Sequence, residues 1–192
     1  IRADEPGEEF LQALLEQQLF DLAFAYLDQM ENSPLASDRF RTQIPLYRAE
    51  ALIQSTAQSR DLKFWEERLA KAEELLSKFA AETKDPVSAA KAQQTLANLR
   101  FRQARVYIKR SEQDRLTADE KQQSRLRARE LLTESLKSFE QAREAMRVQV
   151  EQLTARAKDR PELAEQLEPM RNGYTQLRLR LPMARSEEHT SE

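Results

Sequence analysis

The stretch LTESLKSFEQAREAMRVQVEQL, residues 132–153, carries the pattern that decides the fold. Its large or apolar residues recur every three or four positions, at Leu132, Leu136, Phe139, Ala142, Met146, Val150 and Leu153. Most of the positions between them are charged or polar. Because an α-helix has 3.6 residues per turn, this spacing places an apolar stripe along one helix face. The sequence therefore predicts an amphipathic helix here, within a long helix over about 118–157.

The same spacing recurs earlier in the chain, and helix-breaking residues divide the rest. An earlier stripe comprises Leu62, Trp65, Leu69, Ala72, Leu76 and Phe79. Ser33-Pro34, Asp85-Pro86 and Asp159-Arg160-Pro161 each combine a capping-type residue with proline, which ends one helix and starts another. The predicted helices cover residues 8–17, 19–32, 37–58, 61–83, 87–111, 118–157 and 161–181. Pro45 and Pro169 fall inside the third and seventh helices, where we expect a kink or a restart.

The chain contains only two glycines and no strand-like alternation of apolar and polar residues. Short connections between helices favour antiparallel hairpins. The sequence therefore predicts an all-α protein of about seven helices in antiparallel hairpins.

A repeat emerges when successive hairpins are superimposed. Ala72-Glu73-Glu74-Leu75-Leu76 recurs as Ala128-Arg129-Glu130-Leu131-Leu132, at an offset of 56 residues. Leu46, Ala49 and Ile53 recur as Phe101, Ala104 and Ile108, at an offset of 55 residues. Two matches in the same order with nearly one offset favour a helical repeat. A fainter third copy is Tyr174, Leu177 and Leu181.

The segment from Gln18 to Pro34 resembles the second half of a tetratricopeptide (TPR) repeat. In that family an aromatic residue precedes a small alanine by three positions, and a large residue follows four positions later. Phe20, Ala23 and Leu27 match this spacing. The resemblance covers the sequence of residues 8–34 and only the architecture of residues 35–183, because the later hairpins span about 55 residues rather than 34. It implies an α-solenoid of stacked hairpins that binds other proteins in its concave face.

Composition and charge narrow the classes of function. The 192 residues include 31 Lys+Arg and 33 Asp+Glu, a formal net charge of −2, with no cysteine. This balance predicts no nucleic-acid binding. The longest apolar run, Leu22 to Leu27, predicts no membrane insertion. The sequence leaves the cellular compartment open.

Both ends of the chain look truncated. It starts at Ile1, and residues 185–192, RSEEHTSE, match a translated short-read sequencing adapter at all eight codons. We therefore expect a fragment of a longer reading frame, of the kind assembled from metagenomic reads. Its predicted parts are a disordered stub over 1–7, a TPR-like domain over 8–184 and a non-native tail over 185–192. Without that tail, 30 basic and 30 acidic residues remain.

The sequence contains few residues of the types that carry out catalysis. The only histidine, His189, lies in the suspected adapter tail, and no glycine-rich loop is present. Adjacent carboxylates such as Glu73-Glu74 diverge by about 100° on a helix and do not converge on one group. The sequence predicts a protein that is not an enzyme, with no cofactor and no metal site.

One charge pattern is a candidate binding site. Lys91, Asn98, Arg102, Arg105 and Lys109 follow helical spacing on the fifth helix. In a TPR-like stack this helix would line the concave groove, where arginine side chains clamp an acidic peptide through paired hydrogen bonds. The offset copy in the third helix adds Tyr47, Glu50 and Gln54, and the seventh helix adds Arg178. The alternative interpretation is a solvated helix face with salt bridges to the next helix.

The favoured function is a non-catalytic scaffold that binds a protein segment in its concave groove. A first alternative is a structural element that self-associates through the long sixth helix, near Leu136 and Met146. A second alternative is a helical appendage of an enzyme encoded beyond the ends of the fragment.

Overall fold

A computed structural model describes residues 6–58, 61–158, 167–168 and 171–175, apart from the side chain of Leu62. The described residues up to 158 contain six α-helices and one short 3-10 helix, Thr56–Gln58. None of the described residues is in a β-strand. The α-helices are α1 (Pro6–Glu16), α2 (Phe20–Glu31), α3 (Asp38–Ser55), α4 (Leu62–Glu82), α5 (Pro86–Ser111) and α6 (Ala118–Ala157). The prediction of an all-α protein is confirmed.

The predicted boundaries agree closely with these six helices. Helix α6 has the predicted bounds, and α1 begins at Pro6, two residues before the predicted start. The early start is natural for proline, which needs no amide hydrogen in the first turn. Helix α3 continues through Pro45 and does not restart there. Of the predicted seventh helix, only 167–168 and 171–175 are described, and both are helical; Pro169 lies outside the described residues.

Side-chain caps explain where several helices begin. Asp85 accepts hydrogen bonds from the amides of Val87 and Ser88 at 3.3 and 3.1 Å, with Pro86 as the first residue of α5. Ser37 caps α3 by accepting from the amide of Phe40 at 3.0 Å. These contacts satisfy amide groups that have no partner within the helix.

The chain divides into two compact units, 1–79 and 80–192, called here the N-terminal unit and the C-terminal unit. In the N-terminal unit, α1, α2 and α3 pack around large side chains. Phe10 meets Tyr26 at 4.9 Å between ring centroids, Tyr26 meets Phe40 at 6.2 Å, and Phe40 meets Tyr47 at 5.4 Å. This row of aromatic rings joins the three helices, and Arg68 of α4 bonds to Ser55 of α3 at 2.7 Å.

The C-terminal unit is built on an α5–α6 hairpin with a core rich in small residues. Its fully buried positions on the two helices include Ala97, Ala104, Ala128, Ser135 and Ala142. The hydroxyl of Ser135 donates to the carbonyl oxygen of Ala97 at 2.8 Å. Because small side chains occupy the facing positions, the two backbones approach closely along the hairpin. Helix α5 is therefore held in a fixed orientation against α6.

Candidate protein-interaction surface

Helix α5 carries the five positions predicted as a basic stripe. At 100° per residue, Lys91, Asn98, Arg102, Arg105 and Lys109 fall within about 60° of one another around the helix axis. A different face of α5, which contains Ala97 and Ala104, packs on α6. Lys91, Arg102, Arg105 and Lys109 are exposed, and Asn98 is half-buried. These five residues, the basic stripe, form one largely open face.

All charged residues of α5 are basic. Between Pro86 and Ser111 the sequence has six basic residues and no Asp or Glu. Arg102 and Arg105 are three positions apart, and Arg105 and Lys109 are four positions apart, so like charges are neighbours on the helix surface. Each such pair costs about 0.2–0.5 kcal/mol of helix stability. Three cations are thus concentrated within about 10 Å of helix length.

Arg100 shows what a structural arginine on the same helix does. Its Nε lies 3.4 Å from a carboxylate oxygen of Glu134, and its Nη1 donates to the hydroxyl of Ser138 at 3.1 Å. Both partners belong to α6, so Arg100 ties the hairpin together. The exposed arginines of the basic stripe lie on a different face of α5, away from this contact with α6.

The residues predicted on α3 do not reproduce the basic stripe. Tyr47 is buried: its ring packs on Phe40, and its hydroxyl donates to a carboxylate oxygen of Glu8 in α1. Glu50 is half-buried and Gln54 is exposed. Tyr47 is therefore a core residue of the N-terminal unit. Of the three positions predicted on α3, only Gln54 is fully exposed. Arg178 lies outside the described residues.

The N-terminal unit has a second exposed surface that the sequence reasoning missed. Leu19, Leu22 and Tyr26 follow one another along α2 at spacings of three and four, and Phe10 of α1 packs against Tyr26. Phe10 is 53% exposed and Leu22 is 57% exposed. The sequence does show that this region is acidic, because it has no Lys or Arg between Pro6 and Asp38. We call Phe10, Leu19, Leu22 and Tyr26 the hairpin surface.

The long stripe on α6 is already occupied within the chain. Leu136 and Met146 are 9% and 8% exposed and pack in one cluster with Ala90 and Ala97 of α5. Tyr174 also packs on this cluster. The two positions at which intermolecular pairing was expected therefore lie in the core of the C-terminal unit.

The ionisable groups with shifted pKa values all lie on α6. Hydrogen bonds from Thr117 lower the pKa of Glu120. The guanidinium of Arg147 lowers the pKa of Glu144 in the same way. Within the described part of the chain, no three His, Cys, Asp or Glu side chains come together as a metal-binding group. None of the helices over that part has a long enough apolar stretch to cross a bilayer.

Comparison with family models, with curated proteins and with solved structures finds no match to this chain.

Proposed function

We propose that the chain is a non-catalytic, TPR-like scaffold that binds an acidic segment of a partner protein on the basic stripe of α5. The observation that carries this proposal is the exposure of Lys91, Arg102, Arg105 and Lys109 on a helix without carboxylates. Arginine presents a planar fork that pairs with a carboxylate through two hydrogen bonds.

The internal repeat supports the scaffold part of the proposal. Ala49 and Ala104, Ala72 and Ala128, and Leu76 and Leu132 are matched pairs in the repeat, and all six residues are fully buried. Equal burial at equivalent positions is what a helical repeat requires, because each hairpin buries its apolar face through packing. The rigid α5–α6 hairpin would present the stripe without a large ordering cost on binding.

Direct binding of acidic peptides tests the proposal. A fluorescein-labelled peptide of alternating Glu and Ala is titrated with the full chain, and binding is followed by fluorescence anisotropy. We expect binding that weakens as salt increases, because exposed charges are screened. The triple change Arg102→Glu, Arg105→Glu, Lys109→Glu should weaken this binding by about tenfold or more.

A matched variant separates the stripe from net charge. The triple change Arg125→Glu, Lys137→Glu, Arg156→Glu alters three exposed cations of α6 and shifts the net charge equally. It should leave the affinity for the acidic peptide nearly unchanged. Equal weakening by both triple variants, or no binding by the unmodified chain, would remove the basic stripe as the binding site.

A further inference from the structure

The hairpin surface is an exposed apolar row on the N-terminal unit. Phe10 and Leu22 are more than half exposed, and Leu19 is 40% exposed. Leu19 to Tyr26 spans about 10 Å along α2, roughly two helical turns. Large apolar side chains grouped in this way mark a surface that another molecule covers.

Contacts beneath the hairpin surface hold it in place. The hydroxyl of Tyr26 donates to the carbonyl oxygen of Gly7 at 3.3 Å, and its ring meets Phe10 edge to face at 4.9 Å. At Gly7 a Cβ would lie 3.1 Å from the Tyr26 hydroxyl and 3.3 Å from the Phe40 ring. Glycine therefore permits the close approach of α1 that positions Phe10. The surface is preformed, so binding there requires little rearrangement.

The hairpin of α1 and α2 that carries the hairpin surface is acidic. Six Asp and Glu residues and no Lys or Arg lie between Pro6 and Ser37. Asp28 and Glu31 pair with Arg48 at 2.7 and 3.3 Å. Glu9, Glu16 and Asp21 are exposed. Glu9 and Glu16 share α1 with Phe10, and Asp21 shares α2 with Leu22. An apolar row on a hairpin of this charge attracts a basic partner and repels an acidic one.

We infer that the hairpin surface binds a basic amphipathic helix of another protein. The apolar residues of that helix would lie on Phe10, Leu22 and Tyr26, spaced i, i+3 or i+4, and i+7. Its Lys and Arg side chains would pair with the exposed carboxylates of α1, Glu9 and Glu16. This site is separate from the basic stripe and has the opposite charge preference, so it does not depend on the function proposed above.

Two synthetic peptides test this inference. The probe is a two-to-three-turn helix with Leu at i, i+3, i+4 and i+7 and Lys at the other positions. A scrambled peptide of the same composition keeps the charge and loses the apolar face. The full chain should bind the amphipathic probe at least about tenfold more tightly than the scrambled peptide.

Two exposed leucines supply a matched pair of variants. Leu22→Asp lies at the centre of the hairpin surface, and Leu126→Asp changes a leucine of α6 that is 56% exposed. Leu22→Asp should weaken probe binding by about tenfold or more, whereas Leu126→Asp should leave it unchanged. Glu9→Lys with Glu16→Lys should weaken probe binding, and Glu112→Lys with Asp114→Lys, an exposed pair with the same charge change, should not. Far-ultraviolet circular dichroism verifies that each variant is folded.

Three outcomes would overturn the inference. Equal affinity for the two peptides would show attraction by charge alone. Equal effects of the two leucine variants would place the probe elsewhere on the chain. Sedimentation that shows self-association abolished by Leu22→Asp, without tight binding of the probe, would assign the surface to a second copy of this chain.

Discussion

The two units of the chain reach a packed all-helical structure with different side chains. The N-terminal unit fills the space between α1, α2 and α3 with Phe40, Tyr47 and leucines, whereas the α5–α6 hairpin faces alanine and serine positions toward each other. Large rings keep helices apart and are sensitive to truncation, whereas small residues let helices approach and are sensitive to enlargement. The difference predicts that opposite kinds of substitution destabilise the two cores.

The two units also differ in charge. Residues 1–79 contain nine basic and fifteen acidic residues, a net charge of −6, and residues 80–192 contain 22 basic and 18 acidic residues, a net charge of +4. The overall charge of −2 hides this division. A balanced total therefore does not imply a surface without charge preference, because an acidic hairpin and a basic helix present opposite potentials.

Truncating Phe40 should produce the largest loss of stability. Its side chain is 1% exposed and contacts both Tyr26 and Tyr47. Phe40→Ala should lower the free energy of unfolding by about 3–5 kcal/mol, because it removes buried area and leaves a cavity. Urea denaturation followed by circular dichroism measures the change.

Phe10→Ala is the matched control, because this ring packs on Tyr26 from the exposed side. It should cost less, about 1–2 kcal/mol, because Phe10 is 53% exposed and loses only part of the stabilisation of a buried ring together with its contact to Tyr26. Similar losses for the two variants would contradict the assignment of Phe40 to the centre of the core.

Enlarging Ala97 tests the small-residue core of the C-terminal unit. Ala97 is fully buried, and its carbonyl oxygen accepts from Ser135 on the facing helix. Ala97→Leu should lower the free energy of unfolding by about 1–3 kcal/mol, because the longer side chain forces α5 and α6 apart. Ala155→Leu, at an exposed position of α6, should change it by less than about 0.5 kcal/mol. If Ala97→Leu left the free energy of unfolding unchanged, the hairpin would have room for larger side chains.

Helix boundaries were predictable because local signals determine them. Asp85-Pro86 marks the start of α5 in the sequence, and in the structure Asp85 is the cap. The cap of α6 is Thr117, a residue that was not predicted as a cap from the sequence. Thr117 and Glu120 are three residues apart, which is the spacing of a capping box and can be recognised in the sequence.

Burial by a neighbouring helix was harder to predict than the boundaries. Tyr47 and Arg102 occupy the same repeat position, yet Tyr47 is buried against Phe40 and bonded to Glu8, and Arg102 is exposed. Helical periodicity shows which residues share a face but does not show which helix covers that face. The hairpin surface was missed for the same reason, since an apolar row on α2 looks identical in sequence whether covered or exposed.

Removing the side-chain cap of α6 should have the smallest effect on the free energy of unfolding. The cap is also a difference between the two units. Thr117 accepts from the amide of Glu120 at 3.3 Å, and the Glu120 carboxylate accepts from the Thr117 amide at 2.8 Å. Helix α2, in contrast, begins after Leu19 without a side-chain cap. Thr117→Ala should lower the free energy of unfolding by about 1 kcal/mol. Thr133→Ala, an exposed position within α6, is the control and should be neutral or slightly stabilising, because alanine favours helix.

The same cap should make stability depend on pH. Hydrogen bonds from the backbone and then the side chain of Thr117 lower the pKa of Glu120 in the folded chain. A carboxyl group with a lowered pKa stabilises the fold above its unfolded pKa, and this contribution is lost as pH falls through the folded value. The stability difference between the unmodified chain and Glu120→Gln should therefore be largest near neutral pH and shrink in acid. Urea denaturation at a series of pH values measures this difference, and one that is constant down to strongly acidic pH would show that the charge of Glu120 does not contribute to the cap.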